Sequence, residues 1–151
     1  MRIADILRSK GSTVATVTAS TTVTGLLAEL AEHNIGAMVV IGYPGEQERS
    51  DGGVVGIVSE RDVVRHLREQ GSGLLRREVG QIMSPVAVTC GPDDPVDDLA
   101  ALMTNNRVRH VPVLHDGRLV GIVSIGDVVK IRMEELQAER QQLQDYITQG
   151  G

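Results

Sequence analysis

The hydrophobic and polar positions of the chain follow one order of elements twice. In the first half, a short extended segment TVATV precedes an amphipathic helix, two β-branched strands (AMVVI and VVGIVS) and a second helix, RDVVRHLREQG. The second half repeats this order with VAVTC, a helix, HVPVL, LVGIVS and a helix that begins GDVVKIRMEELQ. Strand alternation and helical spacing therefore predict a β-α-β-β-α unit in each half.

The helix that follows the first extended segment of each half has its apolar residues on one face. Polar residues that favour a helix start precede it, at Ser20 to Thr22 and at Asp93 and Asp94. The predicted apolar faces comprise Val23, Leu26, Leu27, Leu30 and Ala31 in the first half, and Val96, Leu99, Leu102 and Met103 in the second.

The corner where a strand runs into the second helix occurs twice with nearly the same letters. Residues 55–64 read VGIVSERDVV and residues 120–129 read VGIVSIGDVV, so two of the ten positions differ. Upstream, IGAMVVI at 35–41 aligns with VRHVPVL at 108–114 at a larger offset. A polar, glycine-rich loop at 42–53, eight residues longer than its counterpart, accounts for the difference. The chain is therefore an internal duplication with one loop insertion.

The duplication predicts an α/β (α+β) fold of two repeats packed by their sheets with pseudo-twofold symmetry, and two equivalent clefts where they meet. A lead-in precedes each repeat, IADIL in the first and VGQIM in the second. The boundaries we expect are a first repeat at 1–70, a linker at 71–78, a second repeat at 79–132 and a helical extension at 133–151.

The C-terminal extension has a narrow apolar seam. Its members are Met133, Leu136, Leu143 and Ile147, and Arg140 interrupts them at the middle. Such a seam favours packing against another surface. Two alternatives are open, packing on its own domain and pairing with a second chain.

Composition and charge narrow the function classes. The chain has 151 residues, 41% of them hydrophobic, with a net charge of −5 and an aromatic content of 1%. This composition argues against nucleic-acid binding, and the basic run at 64–77 is interpreted as a solvated linker. The single Cys90 offers no internal disulfide, and no apolar run reaches the length of a membrane span. We expect a cytoplasmic protein that binds neither membranes nor nucleic acids.

The repeated corner has a local and a functional interpretation. Ser59 and Asp62 lie three residues apart, and Ser124 and Asp127 repeat that spacing. The spacing is typical of a capping box, which satisfies backbone N–H groups at a helix start and needs no ligand. The same atoms also suit a nucleotide, because a helix N-terminus attracts phosphate and a carboxylate can accept both hydroxyls of a ribose.

Glycine and arginine near the corners refine this hypothesis. Gly56 and Gly121 lie within the strands, where the missing side chain would let a ligand or another backbone approach closely. Arg61 lies in the first turn of the first corner's helix, where a cation is unfavourable unless an anion docks there or solvent screens it. The second corner has Gly126 in that place. We therefore predict two inequivalent pockets, of which the arginine-bearing one prefers the more highly charged phosphate.

Catalytic and metal-binding sets are not recognisable in the sequence. The histidines His33, His66, His110 and His115 lack metal-ligand spacing. Cys90 ends a predicted strand and is interpreted as a small core residue. GIVSIG has the glycine spacing of a phosphate loop but lacks its lysine and hydroxyl residues. We expect no metal, no catalytic residue and no enzymatic activity.

At these corners the sequence resembles a known family. VGIVSERD, LVGIVSIGD and RHVPVLHDGRLVGIVS are similar to the closing halves of cystathionine β-synthase (CBS) domains, and the resemblance extends over about 3–129 in two copies. It implies a tandem pair, or Bateman module, in a stand-alone bacterial-type protein without a catalytic domain. Such pairs commonly bind adenine nucleotides in the clefts between repeats and commonly form homodimers.

The resemblance also implies roles for individual residues. Ribose contacts are expected from Asp62 and Asp127, and phosphate or ribose contacts from Ser59, Ser124, Arg109 and His110, with Arg61 added by its position. The residues implied to border the base are Thr16, Ile35, Gly36, Ala37, Met38, Thr89, Val108, Val111 and Pro112.

The sequence thus predicts a regulatory sensor of adenosine compounds that acts on an unknown downstream protein. AMP is the leading expectation, followed by ADP, ATP and NAD(H). S-adenosylmethionine is an alternative ligand, although serine and arginine at the phosphate end favour a phosphate. The competing hypothesis is a structural homodimerisation module with unoccupied clefts, held together by its repeats and its C-terminal helix.

Overall fold

The computed structural model describes residues 1–11, 14–42 and 53–150. The helices are α1 (Ile3–Lys10), α2 (Val23–His33), α3 (Glu60–Gln70), α4 (Val96–Asn106) and α5 (Ile125–Gly150). The strands are β1 (Thr16–Thr18), β2 (Ala37–Ile41), β3 (Val54–Ser59), β4 (His110–His115) and β5 (Arg118–Ser124). Two short 3₁₀ helices span Gly71–Arg76 and Val79–Gln81. Residues 43–52 of the predicted loop insertion lie outside the described residues.

Each repeat builds its own small sheet. In the first, β2 pairs in parallel with β1 and antiparallel with β3, so that β2 is the central strand. In the second, β4 and β5 form an antiparallel pair. The order of helices and strands confirms the predicted α/β fold of two related units with a long C-terminal helix.

The predicted first strand of the second repeat is the exception. The segment VAVTC forms no regular strand and pairs only through Cys90, which makes an isolated parallel bridge to Val113. The reason lies in β4, where Pro112 occupies the position that Val39 has in β2. Because proline has no N–H to donate, the parallel ladder that Val39 supports beside Thr16 is weakened here.

The apolar faces of α2 and α4 are narrower than predicted. Their buried members are Val23, Leu26 and Leu30 in α2 and Val96, Leu99 and Met103 in α4. Leu27 is 38% exposed, Ala31 is also exposed and Leu102 is partly buried, so these three lie outside the fully buried part of each face.

The two lead-ins exchange partners. Ile3 and Ile6 of α1 are buried in the core of the second repeat, whereas Val79 and Ile82 of the second lead-in are buried in the core of the first. Each repeat is therefore completed by residues that precede the other one, and burial of these aliphatic side chains holds the pair together.

Matching hydrogen bonds confirm the pseudo-twofold relation of the lead-ins. The N–H of Ile3 donates to the carbonyl of Asp94 (3.0 Å), and the N–H of Val79 donates to that of Thr21 (2.8 Å). The next residues repeat the pattern, with Ala4 bonded to Pro92 and Gly80 bonded to Ala19.

The segment that joins the halves is partly built into the fold. Within the predicted linker, Leu74 is fully buried in the core of the first repeat, while neighbouring Leu75 is 40% exposed. Hydrogen bonds to α2 hold it as well, from the hydroxyl of Thr24 to the carbonyl of Leu75 (2.9 Å) and from the N–H of Val23 to that of Arg77 (2.9 Å). The segment is therefore anchored by one buried side chain and by its backbone.

Helix α5 leaves the body of the protein after its first turns. Val128 and Ile131 are its buried residues, and the four seam residues Met133, Leu136, Leu143 and Ile147 are 56–70% exposed. Within the described residues the seam is thus not packed on its own domain. No described helix, α5 included, is both long and apolar enough to span a membrane.

Candidate functional site: two clefts between the repeats

The corner of the first repeat is a complete capping box. The N–H of Ser59 donates to Oδ2 of Asp62 (2.9 Å), and the N–H of Asp62 donates to the Ser59 hydroxyl (3.4 Å). Asp62 is only 7% exposed, so its carboxylate depends on these partners. The local interpretation of this corner is therefore confirmed.

A second segment completes this corner from the other side. Ser84, which follows the second lead-in, pairs with Ile57 through two backbone hydrogen bonds of 2.9 Å and donates its hydroxyl to Oδ1 of Asp62 (3.2 Å). Gly56 permits this approach, because a Cβ atom there would lie 2.8 Å from the Ser84 carbonyl and 2.7 Å from Sδ of Met83. The close neighbour that the sequence predicts at Gly56 is therefore protein backbone.

The cleft at this corner, called the Asp62 cleft below, has a volume of about 360 Å³ and walls from both repeats. The first repeat contributes the strand end and the first turn of α3, and the second contributes 107–110 and the segment after Ser84. Its charged lining residues are Arg61, Arg65, Arg107, Arg109, Glu60 and Asp62. Four cations against two carboxylates make this cleft an anion-attracting surface.

The corner of the second repeat has the same capping box with a different third partner. The N–H of Ser124 donates to Oδ2 of Asp127 (2.8 Å), and the N–H of Asp127 donates to the Ser124 hydroxyl (3.2 Å). Here Lys10, the last residue of α1, places its Nζ 2.7 Å from Oδ2 of Asp127 and 2.8 Å from the carbonyl of Ile122.

The cleft at this second corner, called the Asp127 cleft below, has a volume of about 440 Å³. Its described lining residues are Lys10, Ala15, His33, Ile35, Gly36, Ala37, His110, Ile122, Ser124 and Asp127. Lys10 is the one lysine or arginine among them. Gly36 and His110 line both clefts, so the two clefts adjoin.

The pKa values of two ionisable groups in the Asp127 cleft differ from their ordinary values. Burial raises the pKa of Asp127, but hydrogen bonds from Lys10 and Ser124 lower it by more, so that the pKa lies below its ordinary value. Burial, together with the positive charges of Lys10 and Arg109, lowers the pKa of His110. His110 is therefore neutral at pH 7 and offers a hydrogen bond rather than a charge.

The helix N-terminus contributes less to anion binding at the first corner than the sequence suggests. Of the first N–H groups of α3, that of Glu60 donates to the carbonyl of Gly36 (3.0 Å) and that of Asp62 is used by Ser59. A phosphate in the Asp62 cleft would therefore be held mainly by arginine side chains, which form strong charge-assisted hydrogen bonds.

The predicted site residues divide between the two clefts. The Asp62 cleft brings together Ser59, Arg61, Asp62, Val108, Arg109 and His110, and the Asp127 cleft brings together Ile35, Gly36, Ala37, His110, Ser124 and Asp127. Each corner thus faces the loop and strand start of the opposite repeat. The other predicted residues, Thr16, Met38, Thr89, Val111 and Pro112, line neither cleft, and their role at a base stays a prediction.

Among the lining residues that sequence reasoning missed, four polar ones matter most for the chemistry of the clefts, namely Lys10, Arg65, Ser84 and Arg107. Arg65 lies one helical turn after Arg61, and Arg107 lies two residues before Arg109, so the spacing could have indicated both. Ser84 follows the second lead-in. Lys10 follows the first lead-in. The stretch from the lead-in to the repeat's first extended segment is three residues longer there (Ile3 to Thr16) than in the second half (Val79 to Thr89), so Lys10 has no repeat partner that could have drawn attention to it.

Cys90 and His66, two other side chains that could take part in chemistry, are engaged within the fold. Cys90 lies in the core of the second repeat, where burial first and the Asp94 charge second raise the pKa of its thiol to about 12, and the interpretation as a core residue is confirmed. His66 contacts the carbonyl of Asp62 in its own helix (2.8 Å). Among residues 1–11, 14–42 and 53–150, no three His, Cys, Asp or Glu residues are grouped as metal ligands.

The architecture is that of a tandem pair of related domains, with exchanged lead-ins, two small sheets and two clefts that carry matching serine–aspartate corners. The family model for the CBS domain matches the chain twice, at residues 3–69 and 79–134, and the chain belongs to this family. The predicted resemblance is therefore confirmed.

Several CBS-domain proteins are similar to this chain along most of their length. A mitochondrial CBS domain-containing protein of Arabidopsis thaliana is 39% identical across 99% of this chain and 72% of its own length. The crystal structure of a CBS-domain containing protein from Agrobacterium tumefaciens is 40% identical, with a TM-score of 0.77 over 87% of this chain and 92% of that one. A CBS domain protein from Pyrobaculum aerophilum, solved in complex with AMP, is 27% identical, with a TM-score of 0.71 over 84% of this chain and 89% of its own.

Proposed function

We propose that this protein is a regulatory sensor that binds a phosphate-bearing adenosine ligand in the Asp62 cleft. The observation that carries the proposal is the placement of four arginines around a carboxylate, two on α3 beside Asp62 and two on the opposite wall from the second repeat. Arginine recognises phosphate oxygens, and a carboxylate can accept the hydroxyls of a ribose. The AMP complex of the Pyrobaculum relative supports an adenosine ligand.

A ligand in this cleft acts by differential binding. It touches α3 of the first repeat and 107–110 of the second, so it stabilises the relative arrangement in which both walls fit. A change in that arrangement alters the surface offered to a downstream protein. AMP is the first candidate, with ADP, ATP and NAD(H) next, and the excess of arginines favours the ligands with more phosphate charge. S-adenosylmethionine carries no phosphate and is therefore the contrasting ligand.

The function proposed is regulatory rather than catalytic. The hydroxyl of Ser59 donates to Oδ2 of Asp62 (3.1 Å) and that of Ser124 accepts the N–H of Asp127 (3.2 Å), so both serines serve the starts of their own helices. The raised pKa of Cys90 and its burial make its thiol unreactive.

Isothermal titration calorimetry with AMP, ADP, ATP, NADH and S-adenosylmethionine tests the proposal. Arg109→Gln removes an exposed cation of the cleft and should weaken phosphate-bearing ligands about five- to tenfold without loss of stability. Arg118→Gln, which removes the same charge from an exposed position on β5 outside both clefts, is the matched control and should leave affinity unchanged. Absence of binding by every nucleotide would contradict the proposal and leave the structural dimerisation module as the better hypothesis.

The exposed seam of α5 favours a homodimer as the form in which the sensor works. Ile125 and Val129 continue the seam onto the body of the protein and are 47% and 52% exposed. A second copy of α5 would supply a matching apolar seam. Its Glu139 would also supply a carboxylate for Arg140, the residue that interrupts the seam of the first copy.

The dimer is tested by light scattering after size-exclusion chromatography. Leu136→Glu combined with Leu143→Glu should convert the dimer to a monomer, because it places charges in the seam. Gln137→Glu combined with Gln144→Glu adds the same charge one residue along and should leave the dimer intact. A wild-type protein that elutes as a monomer at micromolar concentration would contradict this part of the proposal.

A further inference from the structure

The two clefts differ most at the group that faces each aspartate from a lead-in. In the Asp62 cleft that group is Ser84, with a backbone N–H bonded to the carbonyl of Ile57 and a hydroxyl bonded to the carboxylate. In the Asp127 cleft the ammonium of Lys10 bonds to the equivalent carbonyl, that of Ile122, and to the carboxylate. One charged side chain thus takes the place of a neutral hydroxyl and a backbone amide.

The position of Lys10 is fixed by the helix that carries it. Ile3 and Ile6 of α1 are 0% and 3% exposed in the core of the second repeat, and Leu7 packs against the open face of Gly121. Lys10 lies about one turn after Ile6 on this anchored helix, at its last residue, and its ammonium is only partly exposed. It is therefore directed at Asp127 by the fold itself.

The ammonium competes with a ribose for the same acceptor. Oδ2 of Asp127 already accepts from Lys10 and from the N–H of Ser124. The carboxylate of Asp62 is also engaged, but only by uncharged donors, the N–H and hydroxyl of Ser59 and the hydroxyl of Ser84. A hydrogen bond from an ammonium to a carboxylate is stronger than one from a neutral hydroxyl, so ribose hydroxyls displace the ammonium at Asp127 less readily than a serine hydroxyl at Asp62. The Asp127 cleft also has no arginine among its described lining residues to hold a phosphate in compensation.

We infer that Lys10 is a specificity-determining residue that occupies the ribose position of the Asp127 cleft and so makes the Asp62 cleft fill first. An adenosine nucleotide enters the Asp127 cleft only when it displaces the ammonium from the carboxylate. This inference rests on the proposed function of the clefts. It attributes their unequal nucleotide affinities to Lys10, a residue that lies outside both serine–aspartate corners.

Titration calorimetry of the full chain with AMP and with ATP tests the role of Lys10. The wild type should bind one nucleotide tightly and a second weakly. Lys10→Met, which keeps the length of the side chain, should tighten the second event about five- to tenfold and leave the first within twofold. The sign is decisive, because loss of a cation that contacts phosphate would weaken binding. Arg8→Gln removes one charge from the same helix outside the cleft and should change neither event.

A double variant locates the effect. Adding Asp127→Asn to Lys10→Met should abolish the gain, because the freed carboxylate is then gone, and thermal unfolding of each variant checks that it folds. The inference is overturned if Lys10→Met weakens the second binding event or leaves it unchanged, or if the gain in affinity persists in the double variant. In either case, continued binding of one nucleotide leaves the proposed function standing. Absence of any binding by both wild type and Lys10→Met overturns the proposed function as well.

Discussion

The packing at Gly56 gives a sharp test of how the Asp62 cleft is built. Replacement by alanine places a Cβ atom 2.8 Å from the Ser84 carbonyl and 2.7 Å from Sδ of Met83, both well inside van der Waals contact. The methionine can move, but the carbonyl belongs to backbone that is bonded to Ile57 on both sides. Overpacking of this kind costs about 1–3 kcal/mol. Gly56→Ala should therefore destabilise the fold and displace Ser84 from Asp62.

Urea unfolding followed by circular dichroism measures the change. A loss of about 2 kcal/mol lowers the midpoint by about 1 M at a slope of about 2 kcal/mol/M. The control is Gly126→Ala, whose new Cβ would lie 3.6 Å from the Ser124 hydroxyl, an ordinary contact in a helical turn. That variant should gain up to about 1 kcal/mol, because alanine is the better helix former. Equal stability of Gly56→Ala and wild type would refute the reasoning.

Three further predictions concern the core and two titrating groups. Leu74→Ala should cost about 2–5 kcal/mol and Leu75→Ala less than about 1 kcal/mol in the same urea assay, and equal losses would show that the Leu74 side chain does not anchor the joining segment. Carbon NMR should place the pKa of Asp127 below 3.8, so its pairing with Lys10 stabilises the fold above about pH 4, and this stabilisation is lost as the pH falls through the native pKa. Lys10→Met should raise the pKa of Asp127, and an unmoved titration midpoint of Asp127 in that variant would contradict this. Cys90, with a thiol pKa of about 12, should resist a disulfide reagent at pH 8 until urea unfolds the chain, and rapid labelling of the folded protein would count against its burial.

The corners were predictable from sequence because their geometry is local. Ser59 and Asp62 lie within one helical turn of each other, and the same pair recurs as Ser124 and Asp127, so spacing and repetition sufficed. The resemblance then indicated 35–38 and 108–111, of which all but Met38 and Val111 line a cleft. What the sequence did not show is that each corner faces the loop of the other repeat, since that depends on how two sheets are arranged in space.

The features that escaped prediction are long-range or have no counterpart in the duplication. Lys10 and Asp127 are separated by 117 positions, and three extra residues between the first lead-in and its repeat leave Lys10 outside the repeat alignment. The weakened strand at Cys90 was within reach, because the proline in β4 could be read directly and its missing N–H has a known effect. The exchange of lead-ins also escaped prediction. The periodicity of a lead-in shows that its aliphatic face is buried, but it does not show in the core of which repeat.

The exchanged lead-ins have a consequence for how such a chain can arise and diverge. A chain of half this length, with one lead-in and one repeat, could complete its core only by swapping lead-ins with a second copy. The present molecule has the form of that swapped dimer with its two chains joined end to end. In the dimer both clefts must be identical by symmetry. Once joined, each lead-in mutates alone, and a lysine can face one aspartate while a serine faces the other.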